Sequence, residues 1–263
     1  MSAARCSTAE CANFGNAKNG GRCNSCAAGN AAAAALAPAA AEDVEAPPPP
    51  ALAALIVATR AAREAALGDI SAYPSMHQVL PWLWIGDERA AGVLPPFELR
   101  AGATPAAALA ALRAAGVAAV VCASGDGASH RPFEGEGIFY AQALLSDGSL
   151  ASKRASEAAL GRLLRAAVPL ARAARAAGRA VLVHCNAGIN RSCSTACALL
   201  IVETGCSLAE AYAQVVAARV VCQPSFHAYL GGDAFRALAA ELAPAALADD
   251  AAAAPLPAGG ASA

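Results

Sequence analysis

Two spacings of apolar residues alternate along the chain. The run "AVLVHC" (180–185) is apolar at nearly every position, the pattern of a strand buried on both faces. "VLPWLWIGD" (79–87), "VAAVVCAS" (117–124) and "GIFYAQALL" (137–145) read as further strands, with Trp82 and Trp84 as sheet packing. Between them lie helical segments. "ALAALIVATRAAREAAL" (51–67) is one, and "TPAAALAALRAAG" (104–116), with a Thr cap, an early Pro and a closing Gly, is another. The long helix "SKRASEAALGRLLRAAVPLARAARAAG" (152–178) carries Pro169 as an expected kink, and its arginines at 162, 165, 172, 175 and 179 read as a solvated face. "RSCSTACALLIVETG" (191–205) is a helix closed by Gly205, and "SLAEAYAQVVAAR" (207–219) opens on a capping box of Ser207 and Glu210. A last helix, "PSFHAYLGGDAFRALAAEL" (224–242), is interrupted near Gly231 and Gly232. This alternation predicts an α/β fold: a mostly parallel central sheet flanked by helices.

Composition divides the chain further. Residues 1–30 hold four cysteines among Gly, Asn and Ser. Residues 31–50 form an Ala/Pro-rich linker ending in four prolines. Residues 51–243 carry the α/β pattern, and 244–263 read as a disordered tail. The formal net charge of -1 provides no global field for nucleic acid or an anionic membrane, so neither is expected as a partner. With no long apolar span and no secretory pattern at its start, the sequence predicts a cytoplasmic and/or nuclear protein. Its ten cysteines are then expected to stay reduced and to serve metal binding, catalysis or packing. Cys122, Cys193, Cys197, Cys206 and Cys222 read as core residues.

The stretch "VLVHCNAGINRSCS" (181–194) concentrates the chemistry. A strand ends at His184 and Cys185, and a helix starts at Arg191. A loop entering a helix turns unpaired N–H groups toward its mouth, and with the helix dipole these bind an anion. Gly188 lets the loop adopt a positive φ and form a concave nest. Arg191 can fork two phosphate oxygens. Cys185 sits in the same positive field, which favours the thiolate and makes it a nucleophile toward bound phosphorus. Ser192 can donate to the departing sulfur. His184 reads as a buried donor organising the loop.

His184-Cys185, five residues, then Arg191-Ser192 resembles the signature loop of cysteine-dependent protein tyrosine phosphatases, and "HCNAGINRS" looks most like the dual-specificity branch. The resemblance extends over roughly 75–242, through "LPWLWIGD", "LRAAGVAAVVCAS", "FYAQALLSDGS" and "AEAYAQVVAARVVCQPSFHAYL". It implies hydrolysis of phosphotyrosine and phosphoserine/threonine through a cysteinyl-phosphate. Asn186, Ala187, Gly188, Ile189, Asn190 and Arg191 would hold the phosphate, with no metal in the active site. By family position Asp147 is the general acid, ahead of Asp126 and Asp87. Where the family often has paired basic residues, Arg219 stands between Ala218 and Val220, a departure that bears on substrate docking rather than on catalysis. No loop position from 186 to 190 is basic, which favours a phosphoprotein over a phosphoinositide. The rival readings are a catalytically weak scaffold that captures phosphoproteins or ubiquitin, and a phosphatase for a non-protein phosphate.

Cys6, Cys11, Cys23 and Cys26 have the spacing Cys-x4-Cys-x11-Cys-x2-Cys. Four thiolates satisfy tetrahedral zinc, and so short a segment needs metal to fold. "CANFGNAKNGGRCNSC" resembles the A20-type zinc finger, with Phe14-Gly15 at its aromatic-glycine step and Asn13 in place of a second aromatic. The resemblance implies structural zinc and ubiquitin as a partner.

Overall fold

The computed structural model describes residues 50–68, 73–93, 104–125, 127–145, 153–224 and 230–244. The amino-terminal cysteines and Asp147 therefore lie outside the described residues, as do Asp126 and His227.

Five strands form one sheet: β1 (Met76–Leu80), β2 (Leu83–Gly86), β3 (Val117–Cys122), β4 (Phe139–Gln142) and β5 (Ala180–His184). Their order is β1-β2-β5-β3-β4. β2, β5, β3 and β4 pair in parallel, and β1 joins β2 antiparallel at one edge. The single strand expected over 79–87 is thus a tight hairpin. Leu80 faces Leu83, and Pro81, which has no N–H to give a ladder, sits in the turn beside Trp82.

Among the described residues six α-helices accompany the sheet: α1 (Pro50–Leu67), α2 (Pro105–Ala114), α3 (Lys153–Ala176), α4 (Arg191–Thr204), α5 (Leu208–Ala218) and α6 (Asp233–Leu242). Local chemistry sets their ends. The Thr104 side chain accepts from the Ala107 N–H, and Pro105 opens α2. Ser207 and Glu210 complete the capping box of α5, and Gly205 closes α4 at a left-handed φ of 68°. Pro169 lies inside α3, which continues past it. Among the described residues no helix is long and apolar enough to cross a membrane.

The two faces of the sheet are covered unequally. Val181 and Val183 of β5 face a large apolar cluster with residues of α1, α3, α4, α5 and α6. Ala180 and Leu182 face a smaller cluster with Leu112 of α2, Phe133 and Ile138. Period-two alternation then sends Cys185 to the helix-rich side and His184 to the other. Every residue of β5 is buried, which accounts for its unbroken apolar run.

The arginines expected on a solvated face are exposed, with Arg172 half-buried, and most of them also reach neighbouring elements. Arg172 and Arg175 both pair with Glu203 of α4 at 2.8 and 2.7 Å, and Arg165 pairs with Glu241 of α6 at 2.8 Å. Arg172 also donates to the Leu242 carbonyl, Arg179 donates to the Gly116 carbonyl, and Arg175 lies 4.5 Å over the Trp82 ring. The small alanine surface of α3 brings its neighbours close enough for long side chains to span the seams.

Candidate active site

The parallel strands place their carboxyl ends side by side, the edge at which open α/β sheets bind ligands. Gly86 of β2 and Cys122 of β3 are both in register with His184. The segment leaving β5 therefore passes between the segments leaving β2 and β3. Cys185 is buried there, and its Sγ lies 3.2 Å from the Ser192 Oγ. Arg191, also buried, is the first residue of α4. The α4 N-cap residue, Asn190, makes no side-chain capping bond, and the start of a helix is where N–H groups and the dipole favour an anion.

The loop between Cys185 and Arg191 is organised by its carbonyls. Asn186 O accepts from the Glu88 N–H at 3.1 Å, and Ile189 O from the Gln223 N–H at 2.9 Å. Gly188 O accepts from Arg219 Nε at 2.9 Å, and Ala187 O from Arg219 Nη2 at 3.4 Å. No described peptide is cis. In a planar trans peptide C=O and N–H point in opposite directions. Four carbonyls tied to surrounding segments therefore turn the amides of Ala187, Gly188, Ile189 and Asn190 to the opposite side, the arrangement of an anion nest.

Gly188 is needed for two reasons. Its φ is 67°, and a Cβ there would lie 2.8 Å from Arg219 Nη2 and from the Gly86 carbonyl carbon and oxygen. Two glycines thus let the loop lie directly on the end of β2.

Arg219, read from the sequence only in connection with substrate docking, meets the loop directly. It is fully buried, so it is no surface docking group. Its Nη1 donates to Pro74 O at 2.8 Å and lies 2.9 Å from His77 Nδ1, and Nη2 stands 3.9 Å from Asp87 Oδ2. The signal was the lone charge in "VVAARVVCQP", an apolar run in which a guanidinium must find internal acceptors.

Other expected groups fall differently. Asp87 accepts from Arg89 Nε and Nη2 at 3.0 and 2.6 Å and from the backbone N–H of Arg89 at 2.9 Å. That pairing makes it a structural carboxylate rather than a proton donor. His184 is wholly buried, and neither ring nitrogen has a well-formed hydrogen bond. Burial lowers its pKa to about 4, with a hydrogen bond to the Cys185 backbone opposing. It is a neutral buried ring, set beside the Cys185 backbone.

Cys122, Cys193, Cys197 and Cys222 are buried as expected, whereas Cys206 is half-exposed. Burial pushes the Cys122 and Cys193 thiols up, away from thiolate chemistry. Among the described residues no cluster of His, Cys, Asp or Glu could hold a metal.

No curated protein matches the chain. Solved structures do. Human DUSP28 is 25% identical over 65% of this chain and 93% of its own, with a TM-score of 0.43. The human tyrosine phosphatase-like serine/threonine/tyrosine-interacting protein is 20% identical over 63% of this chain and 93% of its own, with a TM-score of 0.45. Residues 103–230, which contain the loop, Cys185, Ser192 and Arg219, match the dual specificity phosphatase catalytic domain.

Proposed function

We propose that the chain is a protein phosphatase that hydrolyses phosphotyrosine and phosphoserine/threonine through a cysteinyl-phosphate. The observation that carries this reading is the placement of Cys185 at the base of a loop whose four carbonyls are all anchored away from the nest. The Cys185 sulfur attacks phosphorus as the P–O bond to the leaving group breaks. Arg191 and the amides of residues 186–190 hold the equatorial oxygens. Asp147 gives its proton to the leaving oxygen. Water then attacks phosphorus, its proton passes to the Asp147 carboxylate, and the S–P bond breaks with Ser192 donating to the sulfur.

The test is hydrolysis of p-nitrophenyl phosphate by the full chain. The wild type is expected to be active and Cys185→Ser inactive, and equal activities would sink the mechanism. Failure to trap a phosphocysteine during turnover would instead favour a phosphoprotein-binding scaffold. The absence of basic side chains at 186–190 supports a phosphoprotein substrate. Faster phosphate release from inositol lipids than from phosphopeptides would reverse that choice.

A second part of the proposal concerns Cys6, Cys11, Cys23 and Cys26, whose donor set suits structural zinc, with ubiquitin as the partner of the segment. One zinc per chain is expected, lost when Cys23 and Cys26 are replaced. A metal assay finding none would remove it.

A further inference from the structure

We propose that Arg219 is a positioning residue for the anion nest: it holds the carbonyls of Ala187 and Gly188 outward and thereby fixes the next two amides toward the phosphoryl group. The proposal rests on the phosphatase reading above and deepens it.

The geometry uses the shape of the guanidinium. Nε and Nη2 share one edge of the planar fork, and that edge spans two successive loop carbonyls, at 2.9 Å to Gly188 O and 3.4 Å to Ala187 O. Nη1 faces the other way, to Pro74 O and His77 Nδ1 at 2.8 and 2.9 Å. Burial, with Arg219 adding to it, lowers the His77 pKa, in keeping with a neutral ring that accepts at Nδ1. The Tyr73 ring lies 5.1 Å from the guanidinium carbon, and Asp87 supplies the nearby negative charge. Arg219 thus ties the loop to β1 and to the segment before it.

A glycine loop needs such a tie. Gly188 occupies positive and negative φ with nearly equal ease, so the peptides on either side of it can flip. A flipped peptide would turn a carbonyl toward the bound anion and lose an amide donor at once. The surrounding backbone cannot prevent this alone, because the two carbonyls at risk are those that Arg219 holds. Its complete burial excludes direct contact with substrate, so it acts through the loop.

The experiment compares the full chain as wild type, Arg219→Met, Arg219→Lys, His77→Phe and Arg165→Met. The last removes the exposed pair with Glu241 as a stability control. Each is assayed for kcat/KM on p-nitrophenyl phosphate, for inhibition by orthovanadate, and for thermal melting. Arg219→Met is expected to lose about 100-fold or more in kcat/KM, as when a preorganised donor of an oxyanion site is removed, with a parallel loss of vanadate affinity. Arg219→Lys, a point charge that cannot span two carbonyls, is expected to regain melting temperature without regaining either quantity. His77→Phe should fall between wild type and Arg219→Met, and Arg165→Met should keep wild-type kinetics. Wild-type kcat/KM and vanadate affinity in folded Arg219→Met would overturn the proposal while leaving the phosphatase reading intact. So would kinetics that recover in step with melting temperature in Arg219→Lys. Should Arg219→Met not fold, Arg219→Lys and His77→Phe decide by the same criteria. If the wild type turns nothing over, vanadate affinity across the variants still decides the point, and a wild type that binds no vanadate overturns both readings.

Discussion

The Ser192 hydroxyl stands 3.2 Å from the Cys185 sulfur, at the junction of loop and helix where both side chains are buried. A hydroxyl in that position can stabilise sulfur when it carries charge, and does so most when the thiolate leaves phosphorus. Ser192→Ala should therefore slow breakdown of the phosphoenzyme more than its formation. The expected fall in kcat is about 10- to 100-fold, the worth of one hydrogen bond to a charged group. Rapid-quench measurement checks it: a burst of phenol release stoichiometric with enzyme should precede a slow phase. Equal slowing of both phases would place the hydroxyl in the attack as well.

Gly188→Ala should abolish turnover with a modest effect on folding. The added Cβ would meet both the end of β2 and the clamp arginine at 2.8 Å, at a φ of 67° where an L side chain is strained. The strain amounts to about 1–3 kcal/mol. Because the loop is the part free to move, kcat/KM should fall by more than about 100-fold, the scale of a misplaced oxyanion donor. Urea unfolding and steady-state kinetics on the same preparation separate the two effects.

Period and spacing alone were enough for much of this. The apolar run at 180–185 announced the central strand, and "HCNAGINRS" announced the loop, because both depend on neighbours in sequence. What stayed hidden depends on neighbours in space. Arg219 lies 31 residues from Gly188 and 142 from His77, and nothing local at position 219 names either partner. The helical period gave the arginines of α3 their exposed face, but it could not say that Glu203 and Glu241 lie across the seam. His184 was legible as a buried ring, but the fall of its pKa follows from the packing around it. The hairpin at Pro81 was legible from the proline but was masked by the apolar run around it.

Glu203 offers a test of that hidden seam. Its side chain is 2% exposed and receives both Arg172 and Arg175, whose side chains are 39% and 37% exposed. Removing the acceptor leaves two arginines with solvent as an alternative, so the loss should be smaller than for a fully buried pair. Glu203→Ala should lower stability by about 1–3 kcal/mol, and Arg175→Ala by less, since Arg172 still pairs. The comparison is made by urea unfolding at neutral pH. Activity per folded molecule should be unchanged, because the seam lies away from the loop.

The last prediction concerns acid stability. His184 titrates near 4 in the folded chain because burial disfavours the charged ring, whereas in the unfolded chain it takes the ordinary value of 6.5. Between those values the unfolded state binds a proton that the folded state refuses, so lowering the pH favours unfolding. The contribution is complete above about pH 6.5 and is lost as the pH falls toward 4, amounting to about 3 kcal/mol. His77 is lowered in the same direction and adds to the slope. The useful window is pH 6.5 to 5, above the range in which carboxylates begin to titrate. Urea unfolding across it should show stability falling with pH. His184→Leu, which removes a ring whose nitrogens lack well-formed bonds, should flatten most of that dependence. A histidine held by an acidic partner would have a raised pKa and the opposite slope, with stability lost on raising the pH. The sign of the measured slope therefore distinguishes a neutral buried ring from a charged one.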